Sequence, residues 1–125
     1  MKNVLRIIAG LTGALFFLNG LNWIVYPASA AESLGMPLLK GLGLSTQIGD
    51  LGSFFITIGA MTLIGVYTKT YHWFFAPSML LLLAALYRTL SFFLHGATFA
   101  MEQIVIEVIV GLFLIFAGSR IASED

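Results

Sequence analysis

A chain of 125 residues that is 59% hydrophobic and only 10% charged cannot clothe a globule in water-facing side chains, since soluble domains carry about 25% charged residues. Its net charge is zero and it has no basic block, which excludes the electrostatic footprint of a nucleic-acid binder. It also has no cysteine, which excludes disulfides, thiolate nucleophiles, cysteine-ligated clusters and haem held through cysteine.

Apolar runs of about 20 residues instead predict membrane spans, because about 30 Å of hydrocarbon is crossed at about 1.5 Å per residue. The first span is expected over residues 4–26, with Lys2 and Arg6 at its start and Trp23, Tyr26 and Pro27 closing it. A signal peptide is the rival reading, since Ala28-Ser29-Ala30 resembles a cleavage site. The apolar run is longer than the usual 7–15 or so residues of such a peptide, so a retained helix is expected. Gly10, Gly13 and Gly20 within it suit close helix packing. Asn19 and Asn22, three apart near its end, either bond another helix or line a site.

Residues 27–46 form a connection with two prolines and three glycines. A short helix over 28–34, capped by a left-handed Gly35, fits the pattern. Leu34, Met36, Leu38 and Leu39 make the segment too apolar for a free loop, so it lies on the membrane surface or folds over the bundle as a lid. The second span is expected over 47–68, with Asp50 in its first turn. That carboxylate either serves the helix dipole or joins a polar cluster with Ser53 and Thr57, which helical spacing puts on its face. Tyr71, His72 and Trp73 mark an interface before the third span, 74–94. The fourth is expected over 99–118, with Thr98 as its N-cap.

Four spans place Lys2, Arg6, Lys69 and Arg120 on one side and Lys40 on the other. The excess of basic residues on cytoplasmic loops then puts both termini in the cytoplasm. This topology gathers the polar residues into the outer half of the bundle: Asn19 and Asn22 from the first span, Asp50 from the second, Arg88, Ser91 and His95 from the third, Gln103 and Glu107 from the fourth. Folding the chain back at residues 95–98 brings Arg88 and Glu107 to one depth. Charges in hydrocarbon cost a few kcal/mol and face the interior in pairs, so an Arg88–Glu107 pair is expected, although Arg88 lies near enough to its helix end to snorkel. Glu102 is assigned to the first turn of its helix and the dipole.

Three readings of the polar layer stand open. It is a structural salt bridge, a seat for a polar head group with lipid-like tails between the helices, or an ion path through Asp50, Glu107 and His95. Catalytic motifs are absent: no HExxH, no phosphate loop, no nucleophile elbow. His72 and His95 fall at opposite membrane faces, so no metal or other cofactor is expected.

Asp50-Leu51-Gly52 opening the second helix, Arg88 late in the third, Gly96 in the turn and Glu107 in the fourth resemble the small bacterial four-helix membrane family catalogued as domain of unknown function 4345, related to the DoxX-like group. The family often carries an acidic residue where this chain has His95. The resemblance implies an all-α four-helix bundle in the bacterial inner membrane, without established activity. Its DoxX-like relatives suggest accessory subunits beside quinone-linked oxidoreductases. The first expectation is therefore a non-enzymatic accessory or scaffold subunit, forming a homo-oligomer or part of a larger membrane complex. The alternatives are a binding protein for a lipid, quinone or other amphiphile, with its head group at the polar cluster, and a small oligomeric proton or ion channel.

Overall fold

The computed structural model describes residues 1–123. Helix α1 (Lys2–Val25) is followed by a short α2 (Pro27–Ser33) and by α3 (Gly41–Thr46). A π-helical turn over Gln47–Leu51 carries α3 without a break into α4 (Gly52–Thr68). A 3₁₀ turn (Tyr71–Phe74) leads into α5 (Phe75–His95), and α6 (Met101–Ala122) closes the chain. The described residues contain no strand, and four of the helical stretches are long and apolar enough to cross a membrane. Between 22% and 33% of each stretch's most apolar window is buried inside the bundle. The remaining surface displays Ile7, Leu11, Leu15, Leu86, Ile109 and Leu112, which only a hydrocarbon solvent accommodates at this density. The chain is a multi-pass, all-α membrane protein.

The bundle is two tight helix pairs, α1 with α4 and α5 with α6, joined more sparsely to each other. Glycine sets the first pair. A Cβ on Gly59 would fall 2.4 Å from the backbone nitrogen of Phe17, and one on Gly13 would fall 3.2 Å from the Gly59 carbonyl oxygen. The backbones thus touch where small residues face each other. In the second pair, the buried Ser78 hydroxyl donates to the Gly111 carbonyl at 2.6 Å. That bond satisfies a polar group that hydrocarbon cannot.

At the end holding the termini, Phe74 wedges the pairs together. Its ring lies where a Cβ on Gly65 or Gly118 would stand, 2.6 and 2.7 Å away. Leu5, Ala9, Ile58, Leu81, Leu114 and Ile121 complete that core. Lys2 Nζ donates to the Ser123 carbonyl, and Arg6 Nη2 donates to the Val66 carbonyl at 3.2 Å, where a cation complements the α4 C-terminus.

At the opposite, loop-bearing end, the filling is one-sided. Trp23 packs with Ala30 and Ala31 of α2, supported by Leu34, Met36, Ile48, Leu51 and Phe55. Gln47, only 4% exposed, accepts from the Leu39 amide at 2.8 Å and donates to the Pro37 carbonyl at 3.0 Å. The 36–40 strip, which has no helical bonds of its own, is thereby tied to the start of the second span. The connection is a packed cover on α1 and α4.

Local details depart from sequence expectation at α6. Thr98 does not cap it: the flanking residue is Ala100, with no side-chain cap bond, and the helix runs to Ala122, past the expected residue 118. Gly96 takes φ +66 as the left-handed cap of α5. The chain then needs four further residues before it can re-enter a helix. Gly35 takes φ +72 after α2, as its position past a short helix predicts.

Candidate functional site

Because Phe74 and its neighbours close one end while Trp23 fills only one flank of the other, the helix pairs leave a cavity of about 880 Å³ in the loop-bearing half. All four spans and the 33–34 cover contribute walls. Its floor is apolar, with Phe16, Phe55, Leu81 and Ala84. Phe16 and Phe55 stack at 5.9 Å between ring centroids, and Phe54 meets Phe55 edge-on at 5.2 Å.

Above that floor Arg88 and Glu107 meet across the α5–α6 seam. Arg88 Nε donates to both carboxylate oxygens, at 2.9 Å to Oε1 and 3.1 Å to Oε2. The two side chains are unequally placed. Glu107 is 11% exposed and held against the bundle, whereas Arg88 is 34% exposed. A guanidinium has five N–H donors in a planar fork. Here one of them is spent on Glu107, and the two terminal nitrogens have no partner among the described residues. Arg88 therefore anchors to α6 through Nε, keeps its terminal nitrogens free of protein partners, and lines the cavity.

Of the other sequence candidates, Asn19, Asp50, Ser91 and Gln103 line the same cavity. Ser91 donates its hydroxyl to the Arg88 carbonyl at 2.8 Å, so it lines the wall without holding the guanidinium. Asn22 and His95 do not reach it. At about 100° per residue, Asn22 is turned about 60° from Asn19 in one sense, while Trp23 is turned about 40° in the other. Trp23 is the residue that enters the bundle. Asn22 joins Asn19 in a shallow recess on the outer face of α1, beside Leu18, Leu21 and Val25. His95 is the last residue of α5 and exposed, about 10 Å along the axis beyond Arg88, and so stands past the cavity mouth.

Glu102 is the correction in the other direction. It lies in the first turn of α6, as the dipole role requires, and it also lines the cavity. Trp23, Ser33, Leu34 and Tyr87 are further wall residues that spacing alone does not single out. Asp50 lies in the π-helical turn, where the widened helix re-aims side chains relative to regular spacing. Ser53 bonds only the Asp50 backbone carbonyl, at 3.1 Å, and neither Ser53 nor Thr57 lines the cavity. Among the described residues, no three of His, Asp and Glu come together in a group able to hold a metal ion. No family model, no curated protein and no solved structure matches this chain.

Proposed function

We propose that this protein binds an amphiphile (a lipid, a quinone or a molecule of that build) with its polar head at Arg88 and its apolar part on the aromatic floor. One observation carries this reading: an ion pair in a membrane bundle, on the wall of an 880 Å³ cavity, whose guanidinium keeps both terminal nitrogens without a partner among the described residues. A purely structural salt bridge favours full use of the arginine fork, since unmet donors in low dielectric are costly. The cavity also has the build of a ligand site, with largely apolar walls and a few convergent polar groups.

The reading is tested by filling the cavity without touching its charges. Wild-type protein purified in mild detergent is expected to retain amphiphile detectable by native mass spectrometry. The variant Ala84→Trp, at the floor, is expected to lose about tenfold in occupancy at equal added ligand, the effect of about 1.4 kcal/mol. Equal retention by both proteins, each with an intact thermal transition, overturns the reading.

A separate observation favours the accessory-subunit reading beside this one. Asn22 lines a recess on α1 outside the cavity, with Asn19 bordering both, and an amide facing hydrocarbon gains most from a neighbouring helix. The chain has no native cysteine, so a single Asn22→Cys substitution reports on this face alone. Oxidation in native membranes is expected to give one discrete cross-linked species, with a second copy or with another subunit. A monomer at every oxidant concentration removes this interface.

A further inference from the structure

The charges around the cavity do not match a simple anion site. Among the described residues Arg88 is the one cation on its walls, which it shares with Glu107, Glu102 and Asp50. Glu107 is engaged by Arg88. Among the described residues the carboxylates of Asp50 and Glu102 have neither a hydrogen-bond nor an ion-pair partner. A ligand carrying only negative charge would meet one half-used guanidinium and two unpaired carboxylates. A ligand carrying only positive charge would leave the terminal nitrogens of Arg88 unmet.

The groups also separate along the bundle axis. Phe16 and Leu81 lie deepest, with Arg88, Glu107 and Asp50 above them. Asp50 and Arg88 stand about equally far along their helices from the level at which Phe74 meets Gly65. Glu102 is five residues from Glu107, about 7.5 Å nearer the loop-bearing end at the helical rise. The walls thus call for apolar chain at the floor and, above it, a head carrying both a negative charge for Arg88 and a positive charge for the two free carboxylates. That is the make-up of a zwitterionic aminophospholipid.

Building on the amphiphile reading, we infer that the cavity seats such a lipid, with its phosphate oxygens on the terminal nitrogens of Arg88 and its ammonium between Asp50 and Glu102. Arginine forks match phosphate oxygens in geometry as well as charge. An ammonium of the ethanolamine kind donates hydrogen bonds to carboxylates. The remaining polar wall groups, Asn19, Ser91 and Gln103, are neutral and leave this set of charges unchanged.

The test is a competition by native mass spectrometry on the whole chain in detergent. Phosphatidylethanolamine and phosphatidylglycerol of identical acyl composition are added in equal amounts, with glycerophosphoethanolamine as a tail-less competitor. Wild type is expected to hold the ethanolamine lipid over the glycerol lipid by about tenfold, the factor two partly desolvated charge contacts supply. The double variant Asp50→Asn with Glu102→Gln, both isosteric, is expected to bring that ratio to near unity while still binding lipid. Equal or reversed preference in wild type overturns the head-group assignment. If Ala84→Trp still abolishes retention in that case, the amphiphile reading survives it. Retention of no lipid at all overturns both. Displacement by the tail-less competitor at concentrations matching the lipid would show that the free head group is the ligand and overturn the lipid assignment.

Discussion

Replacing Arg88 by leucine alone is expected to destabilise the bundle more than replacing Arg88 and Glu107 together by leucine. The single change leaves Glu107, 11% exposed, as an uncompensated charge in a low-dielectric setting. Breaking a buried pair from one side costs about 3 kcal/mol or more, whereas exchanging both partners for apolar groups is often neutral. The double variant is therefore expected to unfold several degrees above the Arg88→Leu single variant. Glu107→Leu is expected to be milder, because Arg88 is 34% exposed and can turn its head toward the cavity mouth. A double-mutant cycle of thermal transitions in one detergent measures the coupling, and strictly additive losses would show that the two groups do not act as a pair. Lipid retention by the double variant is a separate readout. If Arg88 serves the head group as well as Glu107, binding is lost even where stability is restored.

The pair was legible because it needs little three-dimensional information. A turn at Gly96 and two helices of fixed rise are enough to equalise the depths of Arg88 and Glu107. Depth is what a linear sequence encodes well in a membrane protein. Azimuth is encoded poorly, because four helices of nearly uniform apolarity give no polar stripe to mark which side faces inward. That is why depth alone groups Asn22 and His95 with the cluster, although one lies in the recess on α1 and the other stands past the mouth. Glu102 failed to stand out for a related reason. A carboxylate in a first turn already has a sufficient local explanation in the dipole, and its second role depends on how far α6 leans from α1 and α4. Gln47 and Ser78 are silent in the sequence, since their bonds go to backbone groups, of the 36–40 strip for Gln47 and of α6 for Ser78, that no side-chain pattern marks. Arg6 counted only as a topological charge, yet it also donates to the end of α4.

The cavity follows from an asymmetry in how the two ends are filled. Phe74 stands at the junction of the second and third spans and needs glycine on both sides, Gly65 and Gly118, to sit between the helix pairs. The matching large residue at the other end, Trp23, is drawn instead toward α2 by Ala30 and Ala31. A cover that takes its own aromatic anchor from α1 leaves the α5–α6 pair without a filling partner there. The same fold that seals one half therefore holds the other half open, and every polar wall group of the cavity lies in the open half.

If glycine contact is what fixes the first pair, the glycines of this chain are not interchangeable, and Gly59→Ala is expected to be the costly one. The added Cβ would stand 2.4 Å from Phe17 N and 2.7 Å from the Gly13 carbonyl oxygen. Both are backbone atoms that no rotamer change can move, so α1 and α4 must separate along their contact. Overpacking of this kind costs about 1–3 kcal/mol, and a backbone obstacle places it at the upper end. Helix propensity pulls the opposite way, since alanine is favoured over glycine by about 1 kcal/mol inside a helix. Gly10 isolates that second term. It sits in the same helix pair, but its nearest foreign atom would be Val66 Cγ1 at 4.0 Å, an ordinary contact. Gly10→Ala is therefore expected to raise the thermal transition and Gly59→Ala to lower it by several degrees, measured side by side in one detergent. Equal shifts of either sign would mean that α1 and α4 are not held at backbone contact. The floor of the cavity, which rests on Phe16 and Phe55 from that same pair, would then lose its physical basis.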